Sequence, residues 1–450
     1  MSSSSEPGLD LFEAGEFVLC GEDSVRRPHV RSRRVFRRPP TPELFPVEFD
    51  MTSRHARTCL AIRDGVAALD LSFLVESYQD FGGVAYDVRG MLCILLLGYE
   101  LGIDSSRTLE DACRHDDRFR FVSGGIKPDD RTIGRFRRRL ESHLKPIHKQ
   151  VVGKLAKKKL ASARQVAVDG TKLKAASAFV RVGKEALEQY GMDLPTSDPE
   201  AGVVLGKAGF LLGYNLQACV DMESGVVLAA RVNTTGSDRG QLAAMLEEAK
   251  DVLGEFPGEV VADRGYDSSK CREYGEKNGV EILVGAQDPS QVFWTVVDEN
   301  TIVCPMGREP TLHRTHISKG EPVVSRTIPA AACAGCPFYK ECRTGGNSPI
   351  LNFPKGMDPV HRLLGIQRAR SATGKEAMKR RMATIEPFFG RLKWNRGKSR
   401  LRLRGLGGAT IEIMLHIIAA NLKRLQQAFI LLLLGLREQK NTQRHCVHAS

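Results

Sequence analysis

The sequence predicts an α/β fold in which a mixed sheet is flanked by helices, preceded by an all-α domain and interrupted by a Cys-rich insertion. Residues 66–144 carry helical patterns separated by short turns. Residues 165–284 alternate β-rich runs with amphipathic helices in the order β, ββ, α, β, α, β, which favours a mixed sheet covered by helices. Residues 286–360 break that order with loops, turns and cysteines.

The 450 residues suffice for two or three domains. A Ser-, Arg- and Pro-rich stretch over 1–60 predicts a flexible basic arm. A helical domain is expected over 61–150 and a sheet domain over 160–427, with the insertion at 286–360 and a tail at 428–450.

The N-terminal helical domain is expected to end in a basic helix. There Ile133, Phe136 and Leu140 recur at i, i+3 and i+7 and predict a buried stripe, with Asp129 or Asp130 as the N-cap. Four arginines fall largely outside this stripe and are candidate DNA contacts: Arg131, Arg135, Arg138 and Arg139. Short helices that end in an Arg-rich helix fit a helix-turn-helix-like DNA-binding domain, or an all-α packing domain with an exposed basic face.

The sheet domain begins with the run QVAVDGTKLKA, which is the first predicted strand. Residues 213–235 then predict a hairpin around a Glu-Ser-Gly turn. An amphipathic helix over 238–254, the strand EVVADRGY, a second helix and the strand VEILVG complete the predicted order. A closing helix carries a core-facing stripe: Ile411, Leu415, Ile418, Leu422 and Leu425.

Positive charge is concentrated in three blocks of a chain whose formal net charge is +13. Residues 26–38 hold seven Arg and no acidic residue, 131–164 hold twelve Lys or Arg against one acidic residue, and 375–404 hold eleven against two. Segregated charge of this kind is typical of a polyanion-binding surface, although solvated helix faces give a similar pattern. We therefore expect a nucleic acid as the partner.

The sequence disfavours secreted and membrane proteins. The N-terminus has neither the basic nor the apolar region of a secretory signal, and no stretch reaches the ~20 apolar residues of a membrane span. Eleven cysteines without an export signal indicate a reducing compartment, where disulfides are rare and a cysteine cluster favours metal. We expect a cytoplasmic protein that binds no membrane.

Three acidic residues stand in local contexts suited to metal binding. Asp169 and Asp263 each follow a β-rich run and precede a Gly turn, so each is expected where a strand ends. Glu386 is expected to begin a strongly basic helical segment. Carboxylates that converge at the end of a sheet can hold two Mg²⁺ ions, which can drive an in-line attack on a phosphodiester. Taken singly, an Asp before Gly is more often only a turn residue.

Several motifs follow one another along residues 66–427. The N-terminal ones are YDVRGMLCILLLGY, SSRTLEDACRHDDRFRF and DDRTIGRFRRRL, and the later ones are VDGTKLKA, ADRGYDS, IEPFFGRLKWNRG, LRLRGL and AANLKRL. In this order they resemble bacterial insertion-sequence transposases of the DDE class. The resemblance implies an RNase H-like mixed sheet, with Asp169, Asp263 and Glu386 as the catalytic, Mg²⁺-binding triad.

The neighbours of Glu386 match that family in part. Relatives often carry a basic residue seven positions after the Glu, and Lys393 stands there. Relatives also often carry Tyr and Arg seven and four positions before it, where this chain has Lys379 and Met382. Arg381 is the candidate substitute. The DNA contacts expected in this segment are Arg381, Lys393, Arg396 and Lys398.

Pro387 predicts that a helix starts or kinks at Glu386, with Glu386 in its first turn. This expectation concerns the geometry of the third acid more than its identity. Glu376 and Glu412 are the alternatives for that position.

Four cysteines of the insertion are candidate ligands of a structural Zn²⁺: Cys304, Cys333, Cys336 and Cys342. A C-x2-C pair with two further cysteines can form a tetrahedral site, and His313 or His316 could substitute for one ligand. Similar transposases often carry a Cys-rich insertion at this position. The alternative is a set of buried free thiols in a loop-rich insert.

The predicted function is a DNA transposase that uses two Mg²⁺ ions, or Mn²⁺ in their place, to cleave phosphodiester bonds at transposon ends and join the freed 3′-OH to target DNA. Its partner is double-stranded DNA, and we expect a homodimer when two ends are synapsed. Trp294 or Trp394 could hold a flipped base, although core or groove packing is favoured. Two other functions fit the sequence: a DNA-binding protein that has lost catalysis, and a metal-dependent nuclease without strand transfer.

Overall fold

The computed structural model of the chain describes residues 36–37, 55–78, 84–177, 185, 189, 197–206, 209–238, 240–285, 294–298, 301–318, 321–342, 350–354, 359–395 and 400–447. Most of the predicted arm, and the candidate DNA contacts Arg396 and Lys398, lie outside these residues.

The first part of the described chain is helical. Its helices are α1 (Ala56–Ala67), α2 (Ser72–Glu76), α3 (Val88–Leu101), α4 (Ser106–His115), α5 (Asp117–Ser123), α6 (Asp130–Arg139) and α7 (Leu144–Lys157). A short parallel pair joins β1 (Phe36–Arg37) to β2 (Ala85–Tyr86).

Helix α6 confirms the predicted cap and stripe. Asp129 is the N-cap, and its carboxylate accepts a hydrogen bond from the Thr132 amide at 2.7 Å. Ile133, Phe136 and Leu140 are buried, as their helical spacing predicts.

A mixed sheet forms the centre of the molecule. Its strands are β3 (Gln165–Lys174), β4 (Gly202–Gly206), β5 (Gly209–Asp221), β6 (Val227–Asn233), β7 (Glu259–Ala262) and β8 (Glu281–Val284). Strands β3, β5 and β6 are antiparallel neighbours, whereas β7 pairs parallel with β3 and β8 pairs parallel with β7. The predicted hairpin and strand order are confirmed. Strand β4, which pairs with the start of β5, was not predicted.

Five helices of the described chain pack on or beside this sheet: α8 (Gln241–Leu253), α9 (Ser269–Asn278), α11 (Pro359–Arg370), α12 (Ala372–Gly390) and α13 (Gly405–Val447). The short helix α10 (Tyr339–Cys342) lies in the insertion. Helix α8 packs on β5 and β6, α11 packs on β8, and α12 packs on β3 and β7. The predicted α/β class, a mixed sheet flanked by helices, is therefore confirmed.

The insertion contains more regular structure than its sequence predicts. Strands β9 (Thr295–Val296) and β10 (Ile302–Val303) form a short hairpin. Strands β11 (Leu312–Ser318), β12 (Glu321–Thr327) and β13 (Ile350–Pro354) form a separate antiparallel sheet. The expectation of loops and turns is wrong for these segments. In β11 and β12, polar and charged side chains hide the strand pattern.

Helix α13 connects the two ends of the chain. Its predicted stripe is buried, and the helix packs on α1, α3, α7 and β6. The contact with α1 is close, since a Cβ on Gly65 would lie 2.5 Å from a methyl carbon of Leu422. Residues Gly405–Gln426 have the length and hydropathy of a membrane span, but 67% of the most apolar window is buried inside the protein.

A buried polar junction fastens α13 and α7 to the start of β6. The Asn421 amide donates to the Val227 carbonyl at 2.9 Å, and its oxygen accepts from the Val227 amide at 3.0 Å. His148 Nε2 lies 3.0 Å from the same carbonyl. The neutral ring can donate this hydrogen bond, and burial lowers the pKa of His148 to about 4.

Candidate active site at the edge of the sheet

Two of the three predicted catalytic acids meet on neighbouring strands. The parallel pairing of β3 with β7 ends with Val168 opposite Ala262, and the next residues are Asp169 and Asp263. Asp263 follows the end of β7, as predicted. Asp169 lies inside β3 instead of at its end, because β3 continues to Lys174 alongside β5.

Local hydrogen bonds fix both carboxylates. Asp263 caps a 3-10 turn, Arg264–Tyr266, and accepts from the Arg264 amide at 2.7 Å. Asp169 accepts from the Gly170 amide at 2.8 Å. Burial raises the pKa of the Asp169 carboxyl, and the charge of Asp263 adds to this effect, so the two acids interact electrostatically.

Arg381 lies inside the site, whereas the sequence predicts that it contacts DNA at the surface. Its Nη1 donates to Asp169 Oδ2 at 2.8 Å, and only 8% of the Arg381 side chain is exposed. The guanidinium lowers the pKa of Asp169 and so opposes the effect of burial. In this arrangement Arg381 neutralises a catalytic candidate and offers no surface to DNA.

Glu386 occupies a different position in its helix from the one predicted. Helix α12 begins at Ala372, capped by Ser371, so Glu386 lies near its C-terminal end and Pro387 lies inside the helix. A proline removes only its own amide donor, and the helix tolerates this near its end, where a π-helical turn over Arg391–Asn395 follows. The expectation that a helix starts at Glu386 is wrong. Its side chain is exposed.

The three predicted acids do not form a complete metal site in the described arrangement. Among the described residues, no group of three or more His, Cys, Asp or Glu side chains is placed to hold a metal ion. Asp169 and Asp263 are adjacent carboxylates of the kind that Mg²⁺ binds, but Arg381 is paired with Asp169 and Glu386 does not join them. The alternative Glu412 is buried and accepts the backbone amides of Arg402 and Leu403, which is a structural role.

A fourth acid that sequence reasoning missed lies beside these two. Asp238, in the loop between β6 and α8, accepts hydrogen bonds from Gln217, Asn215 and Lys172. A Cβ on Gly170 would collide with both Gln217 and Asp238, so a larger residue next to Asp169 would displace these side chains. Polar residues in the middle of the apolar run GFLLGYNLQACV were the available signal.

The predicted DNA-contacting arginines of α6 differ in exposure. Arg131, Arg135 and Arg138 are exposed, whereas Arg139 stacks over the Tyr78 ring at 3.6 Å. The neighbouring Arg137 is buried over the ring of Tyr99. Downstream, Lys393 is half-buried in the π-helical turn.

The four cysteines of the insertion line one small cavity. Cys304, Cys333, Cys336 and Cys342 are half-buried and surround a volume of about 20 Å³. The predicted substitute ligands His313 and His316 do not line it.

The sequence leaves two roles open for Trp294 and Trp394, which are the binding of a flipped base and the favoured packing in a core or groove. Trp294 is buried, with Ile302, Ile328 and Leu363, in a small hydrophobic core of the insertion. That burial fits the core role. The side chain of Trp394 lies outside the described residues.

Comparisons with known proteins agree with the sequence resemblance. A family model described as "Transposase DDE domain" matches residues 303–426, and one described as "Transposase domain (DUF772)" matches residues 60–139. Asp169 and Asp263 lie outside both matched segments. No curated protein matches the chain.

Among solved structures, the alignment with the cryo-EM structure of a piggyBac transposase synaptic complex with hairpin DNA covers 84% of this chain and 80% of that chain. The sequence identity is 8% and the TM-score is 0.25, which is too low a similarity to assign a fold or a function.

Proposed function

Because the chain belongs to the insertion-sequence transposases of the DDE class, we propose that it cleaves phosphodiester bonds at transposon ends and transfers the freed 3′-OH into target DNA. One observation carries the catalytic part: Asp169 and Asp263 are adjacent on neighbouring parallel strands. The charge of Asp263 raises the pKa of Asp169, so the two carboxylates repel each other. A cation that contacts both carboxylates would relieve this repulsion, as Arg381 now does at Asp169.

The sheet supports an RNase H-like assignment as part of this proposal. Strands β3, β5 and β6 are antiparallel neighbours, and the later strands β7 and β8 extend the sheet in parallel from β3, giving the order β6-β5-β3-β7-β8, with β4 paired to the start of β5. We keep the domain limits at 61–150 for DNA binding and 160–427 for catalysis, with the insertion at 286–360.

Mg²⁺ is the metal that we propose, with Mn²⁺ as a substitute and with Asp169, Asp263 and Glu386 as ligands. Bound Mg²⁺ would supply Lewis-acid stabilisation of the reacting phosphate. In the described arrangement, the ion pair of Arg381 with Asp169 has to open and Glu386 has to approach before three carboxylates can share a metal.

Double-stranded DNA is the proposed partner, and helix α6 supplies the observation that supports it. Arg131, Arg135 and Arg138 are exposed at i, i+4 and i+7, so they project from one face of the helix. Arginines in a row of this kind can contact successive phosphates. We further propose a cytoplasmic protein that is a homodimer when it synapses two DNA ends.

We also propose that the four cysteines hold a structural Zn²⁺. Two of them are followed by tight turns with a left-handed glycine, Gly307 after Cys304 and Gly335 after Cys333. The Gly307 amide donates to the Cys304 carbonyl at 2.8 Å, and Cys336 donates to Cys333 at 3.2 Å. The four cysteines line one cavity, although their sulfurs do not lie at coordinating distances in the described arrangement.

The catalytic proposal is tested with duplex DNA carrying the inverted repeats that flank the gene. We expect the wild-type protein to nick this DNA only with Mg²⁺ or Mn²⁺ and to join a pre-nicked end to target DNA. Asp263→Asn should reduce nicking by more than about a hundred-fold, since even outer partners of a metal site cost about 10–100-fold.

Asp251→Asn is the matched control, because Asp251 is exposed and pairs with Lys149 away from the site. Wild-type binding without nicking would support the DNA-binding alternative. Nicking without any joined product would support the nuclease alternative.

A further inference from the structure

Asp238 is held by three donors that all reach one of its oxygens. Gln217 Nε2 donates to Asp238 Oδ1 at 2.7 Å, Asn215 Nδ2 at 2.9 Å and Lys172 Nζ at 3.1 Å. Asn215 and Gln217 are fully buried on β5. Buried NH2 groups are costly without partners, so Asp238 stabilises those of Asn215 and Gln217 in the sheet interior.

The hydrogen bonds continue from Gln217 to the turn that carries Asp263. The Tyr266 hydroxyl donates to Gln217 Oε1, and Tyr266 is buried at the end of the turn that Asp263 caps. Burial raises the pKa of Tyr266, and the negative charge of Asp238 raises it further, so the hydroxyl remains a donor at neutral pH. Asp238, Gln217 and Tyr266 thus form a continuous relay between a loop and the Asp263 turn.

The relay also lies against Asp169. A Cβ on Gly170 would lie 2.7 Å from Asp238 Oδ1, and one on Gly265 would lie 3.8 Å from Asp238 Oδ2. Asp238 therefore lies between Gly170, the strand residue that follows Asp169, and the turn that Asp263 caps. A shift of Asp238 would change the surroundings of both catalytic candidates.

We propose that Asp238 is a positioning residue, which sets the distance between Asp263 and Asp169 through Gln217 and Tyr266. The proposal rests on the proposed function, because it assigns the relay to the same pair of carboxylates. It needs no contact between Asp238 and DNA. Its effect should appear as a change in metal affinity, because the two carboxylates would no longer be held at a fixed separation.

The test compares Tyr266→Phe with Tyr274→Phe. Both changes remove one hydroxyl that donates to a side-chain oxygen, but Tyr274 donates to Glu247 away from the site. We expect Tyr266→Phe to raise the Mg²⁺ concentration for half-maximal nicking by about tenfold, with partial recovery at saturating Mg²⁺. Tyr274→Phe should leave this concentration unchanged. A purely structural defect would lower activity equally at all Mg²⁺ concentrations.

Hydrogen exchange supplies a readout that does not need catalysis. Tyr266→Phe and Asp238→Ala should both speed amide exchange over 264–266, whereas Tyr274→Phe should not. If the wild type nicks DNA and neither variant changes its Mg²⁺ dependence or this exchange, the relay is refuted alone. If the wild type never nicks DNA, the proposed function fails, and unchanged exchange in the variants would then overturn the relay as well.

Discussion

The described residues form two hydrophobic cores of very different size. The large core runs from the N-terminal helices through the sheet to α13, whereas the small core has Trp294, Ile302, Ile328 and Leu363 as its buried members. Cys304 and Cys333 pack against the small core from its edge. A unit with so few buried apolar side chains cannot offset the entropy of ordering its own backbone.

The two cores therefore depend on different interactions. In the large core, buried polar groups such as Asn421 and His148 have protein partners, and apolar burial supplies the stability. In the insertion, the cysteine cavity lies next to the small core and is the available site for a cross-link. We therefore expect metal removal and a change of pH to destabilise the two cores to different extents.

The largest expected effect is that of zinc removal on the insertion. The purified, reduced protein should contain about one Zn²⁺ per chain, and a strong chelator should unfold the insertion before the sheet, because zinc binding contributes about 10 kcal/mol or more in small thiolate sites. Metal content by mass spectrometry and hydrogen exchange over 301–342 measure the two effects.

Cys333→Ser should lose the zinc, whereas Cys271→Ser, at a cysteine buried elsewhere, should retain it. If the reduced protein holds no zinc and binds no added Zn²⁺ or Co²⁺, the proposed zinc cross-link is refuted. The small core would then have to be explained by its packing on α11 alone.

The next effect concerns pH and the large core. Burial lowers the pKa of His148 from 6.5 to about 4, so the unfolded chain takes up this proton first as pH falls. Stability from this group is fully present above pH 6.5 and is lost between pH 6.5 and about 4, by about 3 kcal/mol in total. Urea unfolding at several pH values measures it.

His148→Gln should keep a donor toward Val227 but show a flatter decline in stability over this pH range. The exposed His115 provides the control, since His115→Gln should decline as the wild type does. Equal slopes in the two variants would show that His148 does not control the acid sensitivity of the large core.

The smallest effect concerns the ion pair of Arg381 with Asp169. Arg381→Met should destabilise the fold by about 2 kcal/mol, because it leaves the partly buried Asp169 carboxylate unpaired. The loss should shrink as pH falls, since Asp169, whose pKa is already raised, can then take up a proton. In an Asp169→Asn background the same change should cost clearly less, as a double-mutant cycle would measure. An equal cost in both backgrounds would mean that the two side chains are not coupled.

Local patterns were enough to predict most of the large core. The stripe of Ile411, Leu415 and Leu422 and the Asp129 cap depend on spacing within one helix, and both were confirmed. The prediction that Glu386 lies in the first turn of a helix was wrong, because the effect of Pro387 depends on where the helix begins. Strands β11 and β12 were missed because polar and charged residues such as Arg314, His316 and Arg326 interrupt any apolar alternation along them.

The candidate site was only partly predictable, for a related reason. Asp169 and Asp263 stand beside turn signals that can be read along the chain. Asp238 also precedes a Gly turn, but nothing local marks it as part of the site, because its partners come from β3 and β5 and meet it only after the strands pair. The inward position of Arg381 likewise results from the packing of α12 on β3.

The place of helix α13 in the large core has a consequence for the order of synthesis. Leu422 of α13 fills the space beside Gly65 of α1, and Asn421 hydrogen-bonds to the start of β6. Helices α1 and α3 therefore lack a packing partner until α13 has left the ribosome. An N-terminal fragment made alone would expose the apolar surface of α1 and α3 that α13 covers. A truncated copy is therefore expected to be captured by chaperones and proteases, and it would not persist as a free competitor for DNA.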